Sequence, residues 1–161
     1  MENLKDVCNY VVFRLTGEGG ASISHLKLQK LLYYTQAWYL AYESKPLFSG
    51  EFQAWIHGPV NRSVYNRFKD SKYMYSNITL EDLGNEVDFE FKTISEENKT
   101  FIDGVLEVYA QYSDTQLEKM THDEMPWQNA RGDRQPYERC EEIISEKIMA
   151  SYYSARLQEA N

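Results

Sequence analysis

The segment from about His25 to Tyr42 constrains the fold of this chain more than any other. Its apolar residues cover nearly the whole circumference of a helix with 3.6 residues per turn, instead of one stripe. They are Leu26, Leu28, Leu31, Leu32, Tyr33, Ala37, Trp38, Tyr39, Leu40 and Ala41. A helix that is apolar on nearly all sides is usually enclosed by other elements. We therefore predict a mainly α fold around this central, buried helix.

Gln29, Lys30 and Gln36 are polar residues on this largely apolar helix. Buried polar groups are stable only when they find hydrogen-bond partners. We expect these side chains either to extend their polar ends to the surface or to bind partners inside the protein. In the second case they would determine the geometry of the fold.

Apolar spacing predicts further elements on both sides of the central helix. Helices are expected over about residues 3–15, 60–68, 96–112, 113–120, 126–131 and 137–157. At most one short β-hairpin is expected, with an extended segment over 47–56 and a turn at Gly58-Pro59. The stretch 70–97 is expected to be a variable insert of loops, with one short helix or a strand near 87–91.

Local signals predict where several helices begin and end. Ser113 with Gln116, and Thr121 with Glu124, have the spacing of capping boxes, in which each side chain binds the other residue's backbone. Ser24 and Ser95 are suited to cap the central helix and the helix near 96. The first helix is expected to end at three glycines, Gly17, Gly19 and Gly20.

Length and charge limit the classes of function. The chain has 161 residues, which predicts a single domain over 1–161. Its net charge is −8, so it repels a phosphate backbone and a nucleic-acid partner is not expected, whereas a basic protein partner is favoured.

No apolar run is long enough to span a membrane, and the N-terminus has no apolar signal core. We expect a cytoplasmic protein with Cys8 and Cys140 as reduced thiols.

The known catalytic motifs are missing from the sequence. There is no nucleophile elbow, phosphate-binding glycine loop or zinc-protease motif. The histidines His25, His57 and His122 lack the short spacing typical of metal ligands, so no metal and no cofactor are predicted. We therefore predict that the protein is not an enzyme. A small hydrolase that uses His57 and His122, and a DNA-binding role, remain alternatives.

Two segments combine a tryptophan, a histidine and a proline. They are residues 54–60, which include Trp55, His57 and Pro59, and residues 121–127, which include His122 and Trp127. In one interpretation both tryptophans fill gaps in the core. In the other, the two segments line a shared concave recognition surface, to which the nearby Arg62, Arg131 and Arg134 contribute, since tryptophan and arginine are frequent binding hot spots.

Four elements of this chain, in order, resemble a known family. They are Leu26–Tyr34 (LKLQKLLYY), Lys45–Phe48 (KPLF), Phe52–Val60 (FQAWIHGPV) and Thr121-His122 with Pro126-Trp127. Together they are similar to the motifs of the Panacea antitoxin domain, the SocA-like and GepA-type family of phage-associated proteins. The similarity spans Leu26 to Trp127, carries no motif within 70–97 and is weak after Arg131.

This resemblance implies a mostly helical antitoxin that neutralises a cognate toxin, encoded by an adjacent gene, through direct protein–protein binding. A protease or chaperone is implied as a further partner, because SocA-like members are linked to proteolytic toxin turnover. The alternative is a proteolytic adaptor or prophage regulatory protein that binds a host protein. No catalytic residue is implied. The residues expected to bind the partner or to carry the family motif are Gln29, Lys30, Trp55, His57, Gly58, Pro59, Arg62, His122, Pro126, Trp127 and Arg131.

Overall fold

The computed structural model describes residues 1–17 and 22–160. Helices dominate the described part of the chain, which confirms the mainly α prediction. The α-helices are α1 (Leu4–Thr16), α2 (His25–Glu43), α3 (Arg62–Phe68), α4 (Glu96–Tyr109), α5 (Asp114–His122), α6 (Met125–Arg131) and α7 (Glu146–Ala160). The strands are β1 (Ile23–Ser24), β2 (Phe52–Trp55), β3 (Gly58–Asn61) and β4 (Asn77–Ile78).

Helix α2 is the predicted central helix. It begins at Ser24, whose hydroxyl accepts a hydrogen bond from the backbone N–H of Lys27 at 3.0 Å, and it ends at Ser44 in a left-handed conformation. Helices α1, α4, α5 and α7 and strand β3 all contact it, so its apolar circumference is enclosed as expected. Although α2 is largely apolar, neither it nor any other helix in the described ranges is long and apolar enough to cross a membrane.

Strands β2 and β3 form an antiparallel hairpin in which Trp55 is paired with Gly58. The turn consists of Ile56 and His57, so the prediction of a turn at Gly58-Pro59 is wrong. Gly58 instead opens β3, with a φ of +104° that favours glycine. The other small sheet pairs β1 with β4.

The segment from Tyr137 to Ser145 is not helical, and the predicted last helix therefore begins too early. This segment lies beside β2, where the N–H of Ala54 donates to the carbonyl of Glu142 at 2.9 Å and the N–H of Ile144 donates to the carbonyl of Phe52 at 2.7 Å. These bonds occupy backbone groups of β2 that would otherwise form an open strand edge. Pairing with β2 therefore prevails over the apolar pattern that placed Ile143 and Ile144 in the predicted last helix.

The stretch 70–97 packs on the core although it has few regular elements. One short turn of 3₁₀ helix lies at Leu80–Leu83, within the predicted stretch, whereas the strand lies at Asn77–Ile78, so a strand near 87–91 is wrong. Phe91 adopts a φ of +49° in a turn, where its ring is 5% exposed and contacts Tyr10 edge-on. Burial of such side chains determines the path of this segment, and its sequence variability stays a prediction.

The capping predictions have mixed outcomes. The Ser113–Gln116 capping box is confirmed, and Ser95 caps α4, which ends at Tyr109. The Thr121–Glu124 box is wrong, because the Thr121 hydroxyl donates to the carbonyl of Glu118 at 2.8 Å. Helix α1 ends at Gly17, while Gly19 and Gly20 lie outside the described residues.

Gln36 binds the chain that follows α2 through both ends of its amide. Its Nε2 donates to the carbonyl of Phe48 at 2.7 Å, and its Oε1 accepts from the N–H of Leu47 at 2.9 Å. All three residues are buried. Gln36 therefore connects the central helix to the loop that leads into the hairpin.

We predict that Gln36→Leu lowers the free energy of unfolding by about 3 kcal/mol, because it leaves buried backbone groups of residues 47 and 48 without partners. Urea unfolding measures this loss. The matched control is Gln111→Leu at an exposed position, where the change should stay within about 0.5 kcal/mol. Equal effects of the two substitutions would contradict the role assigned to Gln36.

Candidate functional site

The two segments that combine tryptophan, histidine and proline meet in the structure. We call residues 54–60 the early motif and residues 121–127 the late motif. The indole N–H of Trp127 donates to the backbone carbonyl of Trp55 at 2.9 Å. Helices α3, α4 and α5 separate these residues in the sequence, yet the hairpin and the α5–α6 junction bring them into direct contact.

The late motif is largely a packing unit. Trp127 is only 7% exposed, and the imidazole of His122 stacks on its indole at a centroid distance of 4.0 Å and an interplanar angle of 18°. Pro126 is buried in the first turn of α6, where a missing N–H costs least. Burial lowers the pKa of His122, so its ring stacks in the neutral form at neutral pH.

Lys30 lies under the start of β3 and is fully buried. Its ammonium nitrogen donates to the carbonyl of Pro59 at 2.9 Å. A Cβ atom on Gly58 would lie 2.5 Å from Cε of Lys30 and 2.8 Å from Oγ1 of Thr121, so the hairpin can reach α2 this closely only with glycine. Burial lowers the pKa of Lys30 to about 7, while the charges of Glu118 and Asp114 act in the opposite direction.

Gln29 holds the other end of β3. The backbone N–H of Asn61 donates to its Oε1 at 2.8 Å, and its Nε2 donates to the carbonyl of Asn61 at 3.3 Å. Gln29 and Lys30 are therefore satisfied by partners inside the protein. Their interactions with successive parts of β3 determine where the hairpin sits on α2.

Arg131 has a structural position, although the sequence suggested a contributor to a binding surface. It is 3% exposed, and it donates to the carbonyl of Ala54 at 2.9 Å and to that of Glu138 at 2.6 Å. Its guanidinium also lies 4.9 Å from the ring centroid of Trp127. Arg131 thus connects the early motif, the late motif and the loop after α6.

The accessible residues in and beside the early motif include Trp55, His57 and Arg62, and we call these three the hairpin face. The guanidinium of Arg62 stacks 4.8 Å above the Trp55 ring, and its Nη2 lies 2.5 Å from the carboxylate of Glu141. The side chain of His57 is 52% exposed, and its Nδ1 lies 2.7 Å from Oε1 of Glu118. A cleft of about 200 Å³ adjoins Trp55 and His57.

The eleven residues expected from the sequence thus fall into two groups. The buried group consists of Gln29, Lys30, Gly58, Pro59, Pro126, Trp127 and Arg131. The partly or fully accessible group consists of Trp55, His57, Arg62 and His122. The core interpretation of the motifs therefore fits the first group, and a binding role of the second group stays a prediction. Arg134 lies near Glu142, with its Nη2 3.5 Å from the carboxylate.

The sequence did not point to Glu118, which faces His57, and for Glu124, which is buried within the late motif, it predicted only a capping role beside Thr121. The carboxylate of Glu124 accepts hydrogen bonds from the hydroxyls of Tyr34 at 2.7 Å and Tyr153 at 2.8 Å. Arg156 donates to its other oxygen at 2.6 Å. These partners are far from Glu124 in the chain, so local spacing carries no signal of the network.

The site offers little for metal chemistry. Among residues 1–17 and 22–160, no three histidine, cysteine, aspartate or glutamate side chains lie close enough to hold a metal ion. The thiols of Cys8 and Cys140 are both buried and free. Burial raises the pKa of Cys8 to about 11, which keeps this thiol protonated and unreactive.

Comparison with known proteins finds a matching family model and a similar curated protein. The family model described as "Antitoxin SocA-like, Panacea domain" matches residues 28–128, a range that includes the hairpin and both motifs. The antitoxin SocA of Caulobacter vibrioides (strain NA1000 / CB15N) is 40% identical over 63 residues. This match covers 38% of the present chain and 34% of the relative, so it spans about a third of the relative's length. No solved structure matches the chain.

We predict that Trp127→Ala lowers the free energy of unfolding by about 3–5 kcal/mol, because the indole is a buried part of the core. Denaturant unfolding measures the loss. The control is Tyr73→Ala, since Tyr73 is 84% exposed and its removal should cost less than about 0.5 kcal/mol. A Trp127 variant with unchanged stability would show that the indole is not required for packing.

Lys30 predicts a specific pH dependence of stability. Its folded pKa of about 7 lies below the ordinary value of 10.5, so between these values the unfolded chain binds a proton that the folded chain does not. Raising the pH through this window therefore favours the folded state, by up to about 1.4 kcal/mol per pH unit. The stability of the native chain relative to Lys30→Met should accordingly rise from pH 7.5 to 9.5.

Urea unfolding at several pH values measures this difference, and effects common to both proteins, such as the titration of Cys8, cancel. The matched control is Lys45→Met, because Lys45 is exposed and its removal should give a flat difference across the same pH range. A flat difference for Lys30→Met as well would mean that Lys30 keeps its charge on folding.

Proposed function

Because the chain belongs to the SocA-like antitoxin family with a Panacea domain, we propose that it is the antitoxin of a toxin–antitoxin pair and neutralises its toxin by direct protein–protein binding. The observation that carries this proposal is the family match over residues 28–128, which includes the hairpin face. The partner would be the product of an adjacent gene, and both proteins would act in the cytoplasm. No catalytic step is part of the proposal.

The hairpin face is the surface that we assign to the toxin. Arg62 and Trp55 form a stacked pair, and arginine and tryptophan are the residue types that most often dominate binding energy. The pair lies on a hairpin that Gln29 and Lys30 attach to the central helix, so it is presented in a fixed geometry. Preorganised side chains lose little entropy on binding, which favours affinity.

The charge of the chain is consistent with a basic toxin. The net charge of −8 attracts a cationic partner over a distance of about one Debye length and speeds its approach. Exposed acidic residues near the hairpin face include Glu141, which pairs with Arg62 in the free protein. In the complex, a basic residue of the toxin would form an ion pair with this carboxylate in place of Arg62.

We also propose that residues 1–161 act as one domain. The family match leaves out α1 and α7, but both helices contact α2 within the match. Tyr153 of α7 donates a hydrogen bond to Glu124 of the late motif, which makes α7 part of the same core. A fragment limited to the matched range would lose these contacts.

The test begins with growth rescue. The product of the neighbouring gene is expressed alone and then together with this chain, and the proposal expects growth arrest followed by recovery. Absence of toxicity, or toxicity that persists with this chain present, would contradict direct neutralisation and turn attention to an adaptor or prophage regulator.

Given rescue, Arg62→Ala should raise the Kd for the toxin at least tenfold, or about 1.4 kcal/mol. Calorimetry with purified proteins measures this change. The matched control is Arg14→Ala, because Arg14 also forms an exposed ion pair, with Asp103 at 3.0 Å on α4, and should leave the Kd unchanged. Both variants should keep their Tm, since exposed ion pairs contribute little to stability. Equal Kd values for the two variants would place the toxin on another surface.

A further inference from the structure

A second surface, away from the hairpin face, is an apolar groove at the C-terminal end of α2 between α4 and α7. We call it the α4 groove, and its volume is about 460 Å³. Its apolar lining consists of Trp38, Tyr42, Phe101, Val105, Val108 and Leu157. Tyr42 is 61% exposed and Val108 is 50% exposed, so large apolar side chains face solvent here.

The walls of the groove are held in place by contacts behind them. The indole N–H of Trp38 donates to the hydroxyl of Tyr109 at 2.7 Å. The rings of Tyr42 and Phe101 pack edge to face at 5.9 Å. The groove is therefore a preformed feature of the folded chain, as most binding pockets are.

Gly104 forms the floor of the groove in the middle of α4. A Cβ atom at this position would meet nothing within 4 Å, so neither a close neighbour nor a left-handed backbone requires glycine. Glycine in a helix interior is less stable than alanine. No contact in the fold therefore requires glycine at this position, and the missing side chain leaves room for one from another molecule.

The edge of the groove is acidic. Glu43 lines it directly, and the exposed Glu97 and Glu107 lie on α4, four residues before Phe101 and three after Gly104, which both line the groove. Residues three or four apart share one side of a helix. Arg156, whose guanidinium lies 6.0 Å from the ring centroid of Trp38, is paired with Glu124 at 2.6 Å.

We propose that the α4 groove binds an amphipathic helix of another protein, with one bulky apolar side chain over Gly104 and with lysine or arginine along its edges. Apolar grooves between helices commonly accept such a helix. A second copy of this chain would bring the same acidic edge and a net charge of −8, which disfavours self-association. Anionic lipid and nucleic acid are disfavoured by the same charge.

The probe is a helical peptide of about 18 residues built from alanine, leucine and lysine, with one central tryptophan, a length of about five helical turns. Its matched partner carries glutamate in place of every lysine. We expect the basic peptide to bind with a micromolar Kd, measured by tryptophan fluorescence, and the acidic peptide to bind at least tenfold more weakly. Equal binding of the two peptides would overturn the assigned charge preference.

Gly104→Leu fills the floor without changing charge, and it should weaken binding of the basic peptide at least tenfold. Ser151→Leu is the matched control, because it adds the same side chain at an exposed position of α7 away from Leu157 and should leave the Kd within twofold. Circular dichroism checks folding; if Gly104→Leu is unfolded, Tyr42→Ser, at an exposed wall position, provides the same test. An unchanged Kd in the folded groove variant would overturn the proposal.

Analytical ultracentrifugation of the chain alone provides the remaining test. A monomer at all concentrations supports a groove that is free for another protein. A concentration-dependent dimer that Gly104→Leu abolishes would overturn the proposal in favour of a second copy. None of these outcomes depends on the antitoxin role, since no toxin takes part.

Discussion

The structure depends on buried polar side chains of the largely apolar helix α2, above all Gln29, Lys30 and Gln36. A buried amide or ammonium group without a partner would cost several kcal/mol, so Gln29, Lys30 and Gln36 must each reach an acceptor or donor. Each of them binds the backbone of the chain between Leu47 and Asn61. Helix α2 therefore specifies the position of the loop and the hairpin through directional bonds, while its apolar side chains supply most of the burial.

A second buried network connects the C-terminal helix to this core. Burial raises the pKa of Glu124, and hydrogen bonds from Tyr34, Tyr153 and Arg156 oppose that shift. Tyr34 belongs to α2 and Tyr153 to α7, so one carboxylate joins the central helix, the late motif and the last helix. Removing one partner of such a network usually costs more than the network contributes, because the others remain buried and unpaired.

These networks separate the residues that hold the fold from those that a partner can reach. The family motifs contain both kinds, since Lys30 and Gly58 determine the hairpin position whereas Trp55 and Arg62 lie at its accessible edge. The α4 groove is lined by other residues, among them Gly104, where an added Cβ atom would meet nothing within 4 Å. The chain therefore presents two surfaces of different chemistry on one core: a stacked aromatic–cation pair and an apolar groove with an acidic edge.

The sequence by itself determined the elements whose signals are local. Periodic apolar spacing predicted α2, and a serine with a glutamine three residues later predicted the start of α5, because both depend on neighbours within one or two helical turns. The rare combination of tryptophan, histidine and proline also pointed to the two motifs. Only the tertiary structure decided that residues 137–145 lie along β2, that the Glu124 side chain binds Tyr153 instead of the backbone of Thr121, and that Arg131 is buried. In each case the residue that makes the contact is distant in the chain. These hydrogen bonds and this burial exist only after the helices have packed, so the spacing of neighbouring residues cannot predict them.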